Sequence, residues 1–95
     1  METENQDFTF LTNHSHVLIC LHKDPMMRMR DVALQVGITE RAVQRIIREL
    51  EMVGIVERYR DGRRNRYRIN ANHPLRHPVE SHRSVQELLQ FVVAE

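Results

Sequence analysis

Between Asp31 and Val53 the chain carries two apolar-periodic segments hinged at a single glycine. Val32, Ala33 and Val36 supply one apolar face before Gly37. Val43, Ile46, Ile47, Leu50 and Val53 supply another after it. Both sets have the three-to-four spacing of amphipathic helices. Glycine adopts the left-handed conformation that ends a helix at little steric cost. Ile38 plugs the turn, Thr39 is a good N-cap, and Glu40 stands in the first turn, where the helix dipole favours an anion. A turn this tight lets the second of the two helices project away from the first, the arrangement of a helix-turn-helix.

The flanking segments extend this pattern. Residues 1–11 read as an N-terminal tail, with residues 1–7 polar and Phe8, Phe10 and Leu11 adding apolar bulk. Thr12 or Asn13 is expected to cap a first helix, with Val17, Leu18, Cys20 and Leu21 near one face. That helix should stop by Asp24-Pro25, because the residue before proline is pushed out of the helical region. Met26 to Met29 fits a minor edge strand, and Arg30 or Asp31 is expected to open the second helix. The third helix should run to about Val53 and end at Gly54. Two β-prone runs, from Ile55 and from Arg63, are joined by Asp61-Gly62, a strong hairpin signal. Tyr67 and Ile69 alternate with Arg66 and Arg68, so one face can meet the core while the other carries charge. Residues 71–79, with Pro74 and Pro78, read as a connector. From about Glu80 a last helix is expected, with Val85, Leu88, Leu89 and Val92 in a stripe and Phe91 beside it. The expected class is mainly α with one β-hairpin (α+β): a helix-turn-helix and hairpin unit over 12–70 and a separate C-terminal helix over 80–95.

Charge is distributed unevenly. Residues 28–68 hold eleven arginines against six acids, while the stretches on either side are net acidic. Arginine presents a planar fork of donors that suits phosphates and guanine edges. On the third helix the outward N-terminal positions are Thr39, Arg41, Ala42, Gln44, Arg45 and Arg48. The hairpin adds Arg63, Arg64 and Arg66. Gln pairs bidentately with adenine, Arg with guanine, and an alanine methyl can touch the thymine methyl. Helix N-termini and Thr39 can help hold phosphates. Tyr59 and Tyr67 read as hairpin packing rather than stacking platforms.

These residues resemble the winged helix-turn-helix bacterial regulators of the MarR and ArsR type. The resemblance is carried by Asp31-Val32-Ala33, Gly37-Ile38-Thr39 and Arg41-Ala42-Val43-Gln44-Arg45, then by Leu50 to Val56, and by Arg60-Asp61-Gly62-Arg63-Arg64-Asn65-Arg66-Tyr67. It covers residues 12 to 70 and, more loosely, the last helix. It implies that the hairpin is a wing lying along the minor groove or backbone beside the recognition helix. The function it implies is sequence-specific binding of double-stranded DNA to control transcription, with no catalytic role and no cofactor.

A second copy of the chain is the other expected partner. The helix-turn-helix core and the hairpin close on the first helix, which leaves Val85, Leu88, Leu89, Phe91 and Val92 to form a dimer interface, the rival being that this stripe folds back onto its own core. An unidentified small effector is compatible with the sequence, which carries no separate domain for one. Two alternatives stay open: a protein-interaction winged helix with no DNA role, and a metal- or redox-responsive regulator. For the metal variant, His14, His16, His73, His77 and His82 are candidates, but paired cysteines on the second helix are missing and only His82 is expected on the last. The single Cys20 cannot form an intrachain disulfide and reads as a small core hydrophobe. No apolar run approaches the roughly 18 residues of a membrane span. The acidic, polar start lacks the features of a signal peptide, so the cytoplasm is the expected compartment. Three glycines offer no phosphate-cradling loop, and no nucleophile–base set stands out.

Overall fold

The computed structural model describes residues 8–93, so the expected polar tail over residues 1–7 lies outside the described residues. The elements are α1 (Asn13–Lys23), α2 (Met29–Val36), α3 (Glu40–Met52), β1 (Val56–Asp61), β2 (Arg64–Ile69) and α4 (Val85–Val93). No helix among them is long and apolar enough to cross a membrane.

Local chemistry sets most of the boundaries. Thr12 caps α1, its Oγ1 accepting from the Ser15 amide at 3.3 Å. The helix stops at Asp24, whose extended backbone precedes Pro25. Gly37 ends α2 with φ 84°. Its amide and that of Ile38 both donate to the Ala33 carbonyl, at 2.8 and 3.1 Å, which satisfies a carbonyl the helix would otherwise leave open. Thr39 then caps α3, accepting from the Ala42 amide at 3.0 Å. Removing such a cap costs about 1 kcal/mol.

Three local expectations are corrected. Met26 to Met29 is not a strand. Asp24 accepts the Met26 amide through its side chain at 3.1 Å and the Met27 amide through its carbonyl at 3.0 Å. This Asp-led turn bends the segment, and α2 already begins at Met29. One ladder-like bond survives there, from the Tyr67 amide to the Pro25 carbonyl at 2.9 Å. The hairpin turn lies one residue later than Asp61-Gly62. Asp61 pairs with Arg64, so the two-residue loop is Gly62-Arg63. Gly62 has φ 66° and no non-glycine residue has positive φ. Glycine at the first loop position is the requirement of a type II′ turn, whose twist matches the strands.

The last helix starts at Val85, not near Glu80. Residues 71–84 fold back as an irregular strap instead. The Leu75 amide donates to the Arg83 carbonyl at 2.8 Å, and the Val85 and Gln86 amides donate to His73 and Ala71, both at 2.9 Å. Ser84 and Glu87 form a capping box: the Glu87 amide donates to Ser84 Oγ at 3.2 Å, and the Ser84 amide to Glu87 Oε1 at 2.9 Å.

One core joins all of this. Val17, Leu21, Val32, Val43 and Ile46 meet at its centre, and Tyr67 closes it from β2. Val85 and Leu89 belong to the same core, 1% and 2% exposed. The expected interface stripe is therefore split. Val85 and Leu89 pack inward, Leu88 is half-buried, and Phe91 and Val92 face outward. The strap causes this: by tying residues 71 and 73 to residues 86 and 85, it draws α4 back over α1.

Candidate nucleic-acid interface

The outer face of α3 is built by elimination. Val43, Ile46, Ile47 and Leu50 point into the core. At 3.6 residues per turn, the opposite side is left to Arg41, Gln44, Arg45 and Arg48, all exposed. Thr39 is also exposed, while Ala42 is half-buried at the edge of this face. The Thr39 oxygen serves as cap, so its hydroxyl hydrogen remains available to an acceptor.

The wing stands beside α3. A groove between them is lined by Gln44 and Arg48 from α3 and by Arg58, Asn65 and Tyr67 from the hairpin. A second groove, between the hairpin tip and the start of α2, is lined by Arg28, Arg63, Arg64 and Asn65. One side of the molecule thus joins the outer face of α3, the wing and the N-terminus of α2. Arg28 and Arg30, at that N-terminus, were not singled out from sequence. Their signal was present: two basic residues in the first turn of a helix, where the dipole makes them unfavourable for the helix itself.

The arginines differ in what they already hold. Arg41 and Arg48 on α3, Arg28 at the N-cap of α2, Arg30 in its first turn, and Arg63 at the wing tip form no salt bridge among the described residues. The rest of the wing is internally occupied. Arg64 donates to the Met26 carbonyl. Arg66 pairs with Asp61 at 3.5 Å, Arg58 with Glu51 at 3.3 Å, and Arg68 with Glu57. Arg60 donates to Asn65 Oδ1 and to the Arg63 carbonyl, both at 3.4 Å, which braces the hairpin tip. On α3, Arg45 alone is engaged, with Glu49 at 3.2 Å. Glu49 in turn meets His14 of α1 at 2.6 Å. The His14 hydrogen bond, then Arg45, hold the Glu49 carboxyl below its ordinary range.

The histidines do not converge. No group of three His, Cys, Asp or Glu side chains among the described residues could hold a metal ion. His82, expected on the last helix, precedes α4. Cys20 is buried, its Sγ within 3.7 Å of Gln35 Oε1, and burial pushes its thiol above the ordinary range against the opposing pull of Lys23. That is the opposite of the lowered pKa a reactive thiol needs.

Comparison with known proteins agrees with this architecture. No curated protein matches the chain. Among solved structures it is similar to Lactococcus lactis ZitR, wild type in complex with DNA, with 15% identity and a TM-score of 0.55. That match covers 74% of this chain but 49% of ZitR, so the chain spans about half the length of its structural relative. The likeness shows a shared winged helix-turn-helix fold. The family model of MarR proteins, which are transcription regulators rather than enzymes, matches residues 12–65, from the cap of α1 into β2. By that match over more than half of its length, the chain belongs to the MarR family.

Proposed function

We propose that this chain is a DNA-binding transcription regulator that reads duplex DNA with α3 and grips the adjoining backbone or minor groove with its wing. The observation that carries the reading is the shared side formed by Arg41, Gln44 and Arg48 of α3, Arg63 of the wing and Arg28 of α2. Side chains on the first turns of such a helix reach base edges in the major groove. Arg28 and Arg63 share one groove beside the wing and suit phosphates there. The structural relative was solved with DNA bound, which supports the same use of this fold. The test is duplex binding across a salt series. Log affinity should fall with log salt by about 0.9 for each phosphate contact. Affinity that ignores salt would remove DNA from the reading.

The regulator acts as a homodimer on a near-palindromic operator. Phe91 is 87% exposed and Val92 lies beside it, an apolar end to α4 that soluble surfaces tend to cover. Two copies joined there would present two α3 helices to successive major-groove faces, about 34–36 Å apart. Light scattering of wild type and Phe91→Asp tests this: the wild type should be dimeric and the variant monomeric, with its fold intact. A monomeric wild type at micromolar concentration would rule out the dimer and leave DNA binding standing.

A further inference from the structure

Arg45 differs from its neighbours on α3 because an acid and a histidine stand behind it. Glu49 bridges the two: its Oε2 lies 3.2 Å from Arg45 Nη1, and its Oε1 lies 2.6 Å from His14 Nε2. All three side chains are about half exposed, at 56% for Arg45, 45% for Glu49 and 42% for His14, so each can exchange partners with solvent or a ligand. Among the described residues, charged groups reach the surroundings of His14 from α3 and from the strap. Glu49 and Arg45 come from α3. Arg76 and Glu80 of the strap line the same groove as His14 and Glu49, along with Ser15 of α1. His16, on another side of α1, is turned to Asn13 Oδ1 at 3.1 Å.

Given the reading of α3 as the DNA-contacting helix, on which this step rests, we propose that His14 and Glu49 are positioning residues for Arg45, forming a proton-linked clamp on DNA binding. In the free chain, Glu49 holds Arg45 along α3. Arg45 holds that carboxylate through Nη1 alone, and turning its full fork of donors to a phosphate or base draws it away. Glu49 is then short of one cation at the edge of an anionic duplex. A neutral imidazole can still donate one hydrogen bond to it, but only an imidazolium balances its charge. The bound state therefore favours the protonated form of His14 more than the free state does. By linkage, a state that binds more protons is favoured as pH falls, so affinity for DNA should rise as pH drops through the imidazole range. The half-exposed position limits the effect by solvent screening.

The experiment has two arms on the full chain. In the first, affinity for a duplex selected from a random pool is measured from pH 8 to pH 6 at fixed salt. Wild type should tighten by up to about tenfold. His14→Gln should lose most of that slope, whereas His16→Gln should keep it. Glu49→Gln should bind more tightly than wild type at pH 8, because Arg45 is no longer held. A slope in His14→Gln equal to that of wild type would overturn the clamp. In the second arm, no DNA is present. The His14 imidazole is titrated by NMR in wild type and in Arg45→Ala. Removing the competing cation should move that titration curve to higher pH than in wild type. A midpoint that stays or falls would overturn the coupling itself. A chain that binds no duplex at any pH would refute the DNA reading and the clamp's role in it, and the imidazole titration distinguishes that failure from a failure of the coupling.

Discussion

Helix α3 and the wing are both rich in arginine, yet they use it differently. On α3, Arg41 and Arg48 form no salt bridge among the described residues, and Arg45 has one partner. On the hairpin, Arg58, Arg66 and Arg68 each hold an acid, Arg64 holds a backbone carbonyl, and Arg63 alone stands clear at the tip. Geometry explains the contrast. In an antiparallel pair, facing residues are close neighbours, so Glu57 opposite Arg68 becomes a partner by register alone. On a helix only positions three and four apart meet. Arg41 has no acid three or four residues away, Glu51, three on from Arg48, is held instead by Arg58 of the hairpin, and Arg45 has Glu49. An arginine's type therefore does not decide its job. Its neighbours in space decide whether its donors are spent on the fold or kept for a ligand.

Several variants would break or sharpen that contrast. The largest effect is expected from removing both unpaired arginines of α3. Arg41→Ala with Arg48→Ala should weaken binding to a selected duplex by about 2–5 kcal/mol, read by titration at fixed salt, with melting unchanged. If the double variant binds as wild type does, α3 is not the contact helix. A smaller and more selective loss is expected for Gln44→Ala. It should relax preference at particular positions by about 1–3 kcal/mol while sparing non-specific affinity, as measured against a panel of single-base changes.

Within the wing, two adjacent arginines should behave oppositely. Arg63→Ala should flatten the salt dependence by about 0.9 in slope across all sequences. Arg64→Ala should instead lower stability by about 1 kcal/mol in urea, because the Met26 carbonyl loses its donor, and should leave the salt slope nearly intact. Equal effects of the two variants would erase the distinction between a tip residue and a brace. The smallest effect belongs to Arg68→Ala. Its pair with Glu57 is exposed on both sides, so stability should change by under about 0.5 kcal/mol and DNA affinity hardly at all.

Much of the fold was legible because it is set by neighbours in sequence. Thr12, Gly37 and Thr39 act where their own backbone positions require a cap or a left-handed residue. The outer face of α3 follows from the spacing of Val43, Ile46, Ile47 and Leu50. The hairpin follows from its glycine, although the strand register moved the turn on by one residue. The start of α4 was legible too, in Ser84-Val85-Gln86-Glu87, a capping-box pattern that stands where the apolar stripe begins. Nothing local could show that α4 folds back. Its stripe has the spacing of an amphipathic helix whether it covers its own core or a second copy.

Sequence by itself therefore determined the order of elements, the hinge between α2 and α3, and the arginine-bearing face of α3. These depend on backbone preferences and on a period of 3.6, which act over a few residues. Tertiary structure alone decided three further matters. It drew Val85 and Leu89 into the core and left Phe91 outside, through bonds from the strap to the start of α4. It brought Arg28 beside Arg63, across 35 residues of chain. It set His14 against Glu49, also 35 residues apart, and so put a titratable group behind Arg45. The physical reason is common to all three. An apolar face, a cation or an imidazole specifies the kind of partner it needs, but only packing in three dimensions selects which one it meets.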